Sequence, residues 1–580
     1  MHTKQIGAGV HPDDLVPEMV IDFDTAIVRD LPKAKNYKHA MRGPLRRYWA
    51  GATKTELDNM TSQGVWKIVP TPTDGSARNP IRLKWVLKIK KKENSTVDKF
   101  RARLCAQGCR QVEGRDYHDK TAPVLHAVSL RTLLMFANEL GWEVHQLDVS
   151  CAYLNAYLER GITLYLAPPE GMKLPKGYSL LCLKALYGLV QAGNRWAQLK
   201  SATLTKLGYV RNAAEPCMWQ RADKRGVVIL GIIVDDFAIT GHPTSAIDAA
   251  VKELMTVWNC TYMGQIKWIL NMRVTRKPGI TIIDQSEYVE EVLAEFNLAD
   301  AKPVTTPAEL GLHLSKSMGP VTPEEIADMR DVPYTKAVGK TLYLRLTRLD
   351  AIAAIANCAR FMANPGRIHW KALKRILRYL SGTRYWGLIY RATGKTLTDL
   401  WDVILYVDSD HASDPDTRKS RYGYIIIVNG CPVAFGTGMR KKPSASTPEA
   451  EYVALAHGLR ELLWLLQILK AMGVKVKTPV PVYEDNQTCI AIANNRMSQK
   501  RTRYVDVRYH FIRDYVEDRT IKLHYCETHK MLADILTKAI PRPQHQRLRE
   551  QVMTDVLAYI GGNLLVQVAY CKAMLDALTI

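Results

Sequence analysis

Residues 231–240 read Gly-Ile-Ile-Val-Asp-Asp-Phe-Ala-Ile-Thr, and two adjacent acids interrupt an otherwise apolar run there. The β-branched residues on both sides favour strands, so Asp235 and Asp236 are predicted at the tip of a hairpin. Two carboxylates beside an apolar core are costly unless a cation neutralises them. Such oxygen ligands suit Mg²⁺, which takes its other ligands from water and substrate phosphates. A solvated turn is the alternative, because Asp is a common turn residue.

Length and composition limit the number of domains, the class of protein and the kind of partner that this chain can have. The chain has 580 residues, which is too long for one core and predicts three or more domains. Its 47% hydrophobic and 24% charged residues are typical of a soluble globular protein, and its formal charge of +23 favours a polyanionic partner such as nucleic acid. The 11 cysteines form no Cys-x-x-Cys pair, which indicates reduced thiols rather than a zinc site. The uncharged stretch 556–571 is short and mixed for a membrane span, so no membrane partner is expected.

Upstream of the hairpin, residues 82–90 alternate between cationic and apolar side chains, as a strand does. A second basic run follows at 99–104, across a polar turn at 93–95. A two-stranded ribbon with one cationic face would grip phosphates, and its binding would weaken with salt. A solvated charged face is the alternative for this ribbon.

Two more segments supply candidates for the same site. Residues 141–149 predict a strand that ends near Asp148, a third carboxylate for the 235–236 pair. Residues 186–196 turn at two glycines before a helix, which would bring Gln191 close to a ligand.

A second cluster of acids is predicted after residue 400. Residues 403–408 and 480–484 predict strands that lead into acids. Ser446 and Glu449 have the spacing of a capping box, which gives Glu449 a structural role and leaves Glu451 unexplained. His529 precedes a predicted helix that bears an acid. Four acids at strand ends and helix starts suit a two-metal phosphodiester hydrolase, with scattered surface acids as the alternative: Asp408, Glu451, Asp485 and Asp534.

The motifs together resemble the reverse transcriptase of copia-type LTR retrotransposons. The resemblance rests on residues 146–149 (Gln-Leu-Asp-Val), 152–155 (Ala-Tyr-Leu-Asn), 186–189 (Leu-Tyr-Gly-Leu) with Gln191, and 234–236 (Val-Asp-Asp). Flanking segments agree in order: 66–70, 84–86, 101–104, 168–171, 285–289 and 303–307. The later part resembles the RNase H domain of the same elements at 408–410, 449–452, 485–487, 506–513 and 532–538. The match runs from about residue 32 to 545.

The resemblance implies an α+β and α/β multidomain fold, a right-hand polymerase with fingers, palm and thumb/connection, followed by an RNase H-like domain. The implied divisions are an N-terminal extension (1–60), fingers and palm (61–275), a helical thumb/connection (276–398), the RNase H-like domain (399–545) and a C-terminal tail (546–580). Protease and integrase motifs are absent, so the chain is expected to be the C-terminal part of a polyprotein.

The resemblance also implies site roles. In the polymerase, Asp148, Asp235 and Asp236 would hold metal, Tyr153 would act as the steric gate against a ribose 2′-hydroxyl, Gln191 would contact nucleotide or template, and Arg101 and Arg103 would contact the incoming phosphates. In the nuclease, Asp408, Glu451, Asp485 and Asp534 would hold metal, and His529 would assist product release or proton transfer.

Two Mg²⁺ per active site are the implied cofactors, with Mn²⁺ as a substitute. The implied partners are an RNA template, a DNA primer, RNA–DNA hybrid and dNTPs, with self-association or other retroelement proteins besides. A cytoplasmic virus-like particle with nuclear entry is the expected location.

Several positions depart from the family pattern without removing a predicted metal ligand: Gln107, Gly193, Asn194, Ile233, Asn271, Leu349 and His411. They keep a second hypothesis open, a catalytically decayed remnant that only binds RNA or RNA–DNA hybrid.

Overall fold

The computed structural model describes residues 16–74, 79–92, 96–494 and 511–560. The predicted turn at 93–95, residues 506–510 of one family motif, and the ends 1–15 and 561–580 lie outside the described residues. The strands are β1 Trp66–Pro70, β2 Leu83–Lys91, β3 Val97–Ala106, β4 Val144–Val149, β5 Leu164–Leu166, β6 Tyr178–Cys182, β7 Val210–Arg211, β8 Met218–Asp223, β9 Gly226–Ile233, β10 Asp236–His242, β11 Cys260–Gln265, β12 Trp268–Ile269, β13 Met272–Lys277, β14 Ile280–Asp284, β15 Trp386–Arg391, β16 Leu400–Trp401, β17 Val403–Asp410, β18 Arg421–Val428, β19 Cys431–Met439, β20 Lys475–Val476, β21 Val480–Glu484, β22 Ile521–Tyr525 and β23 Met553–Asp555. The helices are α1 Tyr37–Arg42, α2 Arg46–Ser62, α3 Ala127–Glu139, α4 Ala192–Lys206, α5 Thr244–Val257, α6 Ser286–Glu295, α7 Pro323–Arg330, α8 Tyr334–Leu342, α9 Ile352–Ala359, α10 Arg367–Gly382, α11 Thr447–Ala471, α12 Gln487–Asn494, α13 Phe511–Glu517, α14 Arg542–Val552 and α15 Val556–Ile560.

The predicted hairpin forms the middle of an antiparallel sheet with the order β11-β4-β10-β9-β8-β7. Strand β9 is apolar along most of its length because both faces of the sheet are covered. Helices α4 and α5 pack on one face, and α3 packs on the other. The hairpin prediction is therefore confirmed, and its tip lies at one edge of the buried sheet.

The basic ribbon is also confirmed. Strands β2 and β3 pair antiparallel, with Trp85 buried and with Lys84 and Lys88 exposed on the opposite face. The apolar face packs into a core shared with the small sheet β1-β6-β5.

Residues 276–398 were predicted to be the more helical region, and most of their elements are helices. Helices α6, α8, α9 and α10 share one core there, but β14 and β15 add two strands, which belong to a sheet with the order β12-β13-β14-β15-β23. The reason is local composition, because residues 280–284 and 386–391 are rich in β-branched or aromatic side chains.

Residues 546–560 do not form a separate tail, contrary to the prediction. Helix α14 begins at Arg542, and β23 pairs with β15. The Arg549 guanidinium lies 3.6 Å from the ring centroid of Trp386, and its Nη1 donates to the Tyr379 hydroxyl at 3.3 Å. The chain therefore returns to the preceding unit after completing the next one.

The last unit is a five-stranded sheet in the order β19-β18-β17-β21-β22. Strands β17, β18 and β19 run antiparallel, whereas β21 and β22 run parallel to β17. Helix α11 packs across β17 and β18. It is long and apolar enough to span a membrane, but 61% of its most apolar window is buried inside the protein, as expected of a core helix.

Helix α3 joins the two sheets that carry the acids. On the side away from β9 and β10 it packs against β19, where Arg131 is buried. Arg131 donates to the carbonyl oxygens of Val433 and Leu346, both at 2.8 Å, and its guanidinium lies 4.2 Å from the Phe435 ring centroid. A buried guanidinium needs such partners, so this interface is chemically specific as well as apolar.

Candidate active sites

The first site forms where β4 meets the hairpin. Asp148 on β4 lies directly opposite Asp236 on β10 in the strand register. Asp235 belongs to the two-residue turn between β9 and β10. The structure therefore brings the three predicted carboxylates together, although they are about 90 residues apart in sequence.

The hairpin turn is strained and is held from two sides. Val234 has a φ of +55°, which is unfavourable for a β-branched residue. Its carbonyl accepts a 2.7 Å hydrogen bond from Nε1 of the buried Trp196, and the Asp235 carbonyl accepts one of 2.9 Å from the Val149 amide. Strain of this kind persists only where the surroundings fix it, often at functional sites. The sequence reasoning did not single out Trp196; its place in the helix after the Gly188 turn was the available signal.

The acids of the first site repel one another. Burial raises the pKa of Asp148, and the nearby Asp235 charge adds to this. Burial, then Asp235 and Asp148, raise the pKa of Asp236 to about 6, although Gln146 donates to its Oδ1 at 3.3 Å. A divalent cation would relieve this repulsion.

The predicted phosphate ligands face the same acids. The charges of Arg101, Arg103 and Lys90 lower the pKa of Asp148, opposing its burial. The Arg103 guanidinium lies 4.4 Å from the Tyr187 ring centroid. These cations lie on a ribbon whose positive charges repel one another. Burial and the neighbouring cations therefore lower the pKa of Lys90.

Tyr153 lies beside the acids as well. Its ring centroid is 4.7 Å from that of Tyr187. Burial and the charge of Asp235 raise the pKa of Tyr153. The ring is therefore close enough to shape the space above the hairpin.

Gln191 is placed differently from its prediction as a nucleotide or template contact. Its side chain is completely buried. Nε2 donates to the Asp116 carbonyl at 2.9 Å, and Oε1 accepts from Gln111 at 2.9 Å. The glycine turn directs the amide inward, so in this structure Gln191 braces the 111–116 loop and offers no open face to a ligand.

The second site is more tightly assembled. Asp408 on β17, Glu451 on α11 and Asp485 after β21 each offer an oxygen within 4.8 Å of the other two. Asp408 and Glu451 are buried, with 1% and 4% of their surface exposed, and Asp485 is half-buried. Glu449, by contrast, accepts from Arg440 and the Ala445 amide, and its own amide donates to Ser446 Oγ, so one half of the predicted capping box is present.

Asp534 lies beside this triad in a 3₁₀ turn. Lys538 Nζ is 2.8 Å from Asp534 Oδ1 and 3.4 Å from Asp408 Oδ1. Thr537 donates its hydroxyl to the Asp408 carboxylate, and Gln544 donates to Asp534 Oδ2 at 3.0 Å. The fourth predicted acid is thus present, but it is paired with a lysine.

A fifth carboxyl, Glu484, was not predicted as part of the site. It is completely buried, and its Oε1 accepts from the Asn486 amide at 3.0 Å. Burial raises its pKa, and the Asp485 and Asp408 charges add to the effect. Burial, with the charges of Glu484 and Asp408, likewise raises the pKa of Glu451. The position of Glu484 at the end of β21 was the sequence signal that could have indicated this fifth carboxyl.

His529 lies at the margin. It is exposed, and its Nε2 is 3.4 Å from Glu527 Oε2. The preceding residue, Thr528, donates to Asp485 at 2.9 Å, so the loop itself touches the site. The role predicted for His529 stays a prediction.

The donor chemistry of both sites fits hard divalent cations. All the ligand atoms would be carboxylate oxygens, which Mg²⁺ and Mn²⁺ accept. In the second site the buried Oε2 of Glu451 and Oε2 of Glu484 have no hydrogen-bond partner, a costly arrangement that a cation near the triad would relieve.

Several known proteins are similar to this chain. A foamy viral protease–reverse transcriptase solved in complex with double-stranded DNA is 12% identical, with a TM-score of 0.39 over 91% of this chain and 74% of that one. Residues 63–310 match the family model described as reverse transcriptase (RNA-dependent DNA polymerase). A retrovirus-related Pol polyprotein from transposon TNT 1-94 of Nicotiana tabacum is 34% identical over 91% of this chain, which spans 39% of that polyprotein. The Pol polyprotein from transposon RE1 of Arabidopsis thaliana is 30% identical over 87% of this chain, which spans 34% of it. The chain belongs to the reverse transcriptase region of the Pol polyproteins of copia-type retrotransposons.

Proposed function

We propose that the chain is an RNA-directed DNA polymerase with an RNase H activity, which copies retrotransposon RNA into DNA. The observation that carries the proposal is the pairing of Asp148 with Asp236 beside the strained Val234-Asp235 turn, within the region that matches the reverse transcriptase family. In this proposal the β11-to-β7 sheet is the palm, the β2–β3 ribbon belongs to the fingers, and residues 276–398 form the thumb and connection.

In the polymerase site, the three acids would hold two Mg²⁺ ions, or Mn²⁺ in their place. Bound ions would favour the ionised primer hydroxyl and neutralise the phosphates of the incoming nucleotide. The chain's own residues do the rest. Arg101 and Arg103 bind the triphosphate of a dNTP from the ribbon side, and the Tyr153 ring blocks a ribose 2′-hydroxyl. Contacts to the template backbone make the binding indifferent to sequence.

In the nuclease site, Asp408, Glu451, Asp485 and Asp534 would hold the ions that support hydrolysis of the RNA strand of a hybrid. Thr537 and Gln544 orient Asp408 and Asp534 through their hydrogen bonds. The buried oxygens of Glu451 and Glu484 that have no hydrogen-bond partner support this assignment, because a bound divalent ion would stabilise such carboxylates.

The primary test is primer extension with Mg²⁺ on an RNA template, comparing the wild type with Asp235→Asn. We expect extension to fall at least about a thousandfold, because a metal ligand and its charge are lost. Hybrid cleavage by the same preparation should stay near the wild-type rate and would show that the variant is folded.

Asp223→Asn is the matched control. Asp223 lies in the same sheet, at the end of β8, and pairs with Arg225 outside the site. It should extend primers like the wild type. A wild type that binds hybrid but extends no primer would refute the polymerase and support the decayed remnant.

The steric gate has its own test. Tyr153→Ala should weaken discrimination against ribonucleotides by about 10- to 100-fold, because the ring no longer blocks the 2′-hydroxyl. Single-nucleotide insertion of a dNTP and its ribonucleotide counterpart measures this ratio. Unchanged discrimination would remove Tyr153 from the gate.

We also propose, on the basic charge and the family, that the RNA template, the primer and the hybrid are its partners inside a cytoplasmic particle.

A further inference from the structure

One cation lies among the acids of the nuclease site. The Lys538 ammonium contacts both Asp534 and Asp408, at 2.8 and 3.4 Å, and both acids are almost completely buried. The lysine side chain itself is 30% exposed. Its charged end therefore contacts the acid cluster, while the side chain as a whole is still partly exposed.

The positions of the acids divide the site in two. Asp408, Glu451 and Asp485 converge through carboxylate oxygens alone. Asp534 is held instead by Lys538 and Gln544, and Asp408 is shared by both halves. One half thus consists of acids that face one another, and the other half already contains a positive charge.

We propose that Lys538 is a resident counter-cation of the nuclease site, and that a second divalent ion, bound between Asp408 and Asp534, must displace its ammonium. The inference rests on the proposed hybrid cleavage by this site. The ammonium and a divalent ion would compete for the same two oxygens, Asp408 Oδ1 and Asp534 Oδ1, and their mutual repulsion at such distances is large. A flexible, partly exposed lysine can withdraw to solvent, whereas a rigidly buried one cannot.

The two ion positions should therefore differ in their affinity for a divalent ion. The first ion binds at the triad while Lys538 stays in place. The second ion binds more weakly, since the lysine competes with it, and the added phosphate charge of a bound hybrid favours the exchange. Lys538 would then set the concentration of Mg²⁺ at which the site becomes complete.

Calorimetric titration with Mn²⁺ in the absence of nucleic acid tests the idea directly. The titrated protein carries Asp148→Asn, Asp235→Asn and Asp236→Asn together, so that the polymerase acids do not contribute. Without further change we expect one tighter and one weaker ion. Adding Lys538→Met should tighten the weaker ion by about tenfold or more, because its competitor is gone. Lys538→Arg should restore the weak binding.

Lys530→Met is the matched control, because Lys530 lies on the neighbouring loop and pairs with Glu527 outside the acid cluster. It should leave both affinities unchanged. Identical Mn²⁺ stoichiometry and affinities with and without Lys538→Met would overturn the proposal.

A measurement on the unmodified chain covers the case in which Lys538→Met does not fold. Acetylation of lysines, followed by mass spectrometry, should show Lys538 becoming more reactive as Mn²⁺ is raised through the second binding range, while Lys530 stays constant. A Lys538 whose reactivity does not change would refute the displacement. Hybrid cleavage by the wild type is assayed separately. Its absence would count against the proposed function, whereas cleavage together with an unresponsive Lys538 would count against this inference alone.

Discussion

The two groups of acids differ in how completely the chain assembles them. In the unit proposed to be the nuclease, Asp408, Glu451 and Asp485 come from a strand, a helix and a strand end, and one oxygen of each already lies within 4.8 Å of the others. In the part of the chain that the structure describes, no other group of three acids, histidines or cysteines meets this separation. Asp148, Asp235 and Asp236 are half-buried at a sheet edge and do not converge to the same extent.

This difference shows where each site obtains the positive charge that compensates its acids. Burying the acids of the nuclease site carries a large desolvation cost, and Lys538 of the same site lies within 3.4 Å of two of them. The hairpin acids face cations on a separate ribbon: burial raises the pKa of Asp148, and the charges of Arg101 and Arg103 oppose that shift. Under the proposed function, the chain alone already brings the nuclease acids together with a cation. The polymerase site becomes complete only when the substrate and its ions bind.

The largest expected effect tests whether the two sites are independent. Asp408→Asn should reduce hybrid cleavage by about a thousandfold, because Asp408 belongs to both halves of its site. Primer extension should stay within about twofold, since the hairpin acids are untouched. Cleavage and extension assays on one preparation measure both. Asp402→Asn, at an exposed position paired with Lys395 just before β17, is the control and should change neither.

A loss of both activities in a folded Asp408→Asn protein would break the comparison, because it would mean that the nuclease acids also support the polymerase site.

The second effect concerns pH. Burial raises the pKa of Glu451 and Glu484 in the metal-free site, so near pH 7 at least one proton must leave when an ion binds. The apparent affinity of the nuclease site for Mn²⁺ should therefore rise about tenfold per pH unit around neutrality. Asp236, with a pKa of about 6, is already about nine-tenths ionised at pH 7, so the polymerase site should respond much less there.

Titration with Mn²⁺ in buffers of different ionisation heat measures the released protons. One protein would lack the polymerase acids, and the other would carry Asp408→Asn, Glu451→Gln and Asp485→Asn. Equal proton release at the two sites would contradict the difference described above. The effect on stability has the opposite pH dependence: a carboxyl with a raised folded pKa, such as Asp236, favours the folded state at low pH and loses that contribution as pH rises through about 6.

The smallest effect concerns the support of the hairpin. Trp196→Phe removes the donor to the Val234 carbonyl, and primer extension should fall by about fivefold, the usual worth of one hydrogen bond. Hybrid cleavage should not change. Trp219→Phe is the matched control, because this buried tryptophan belongs to the same core and its Nε1 has no hydrogen-bond partner. An equal loss in both variants would assign the effect to packing rather than to the turn.

The elements that the sequence predicted correctly are those with local patterns. The hairpin, the β2–β3 ribbon and the strand at 480–484 follow from alternation and from β-branched composition. The meeting of Asp148 with the hairpin was expected from the family resemblance, and the strand register places them opposite each other.

What the sequence could not predict depends on tertiary contacts. Gln191 was expected to reach a ligand, but only the fold shows that its amide is directed inward, towards Gln111 and the Asp116 carbonyl. Lys538 follows Asp534 by four residues, yet its second contact comes from Asp408, 130 residues away. The pairing of β23 with β15 is equally remote in sequence. No local pattern encodes such pairings.

Helix α3 has a consequence for how the two activities would act on one duplex. Through Arg131 and its neighbours it packs against strand β19 of the nuclease unit, and its other side packs against the sheet of the hairpin. The spacing from the growing end to the cut would then be a property of this packed interface and not of a loose tether. The lengths of the RNA fragments left after cleavage would then report the distance between the two sites. These lengths should fall in the narrowest range where the interface is intact.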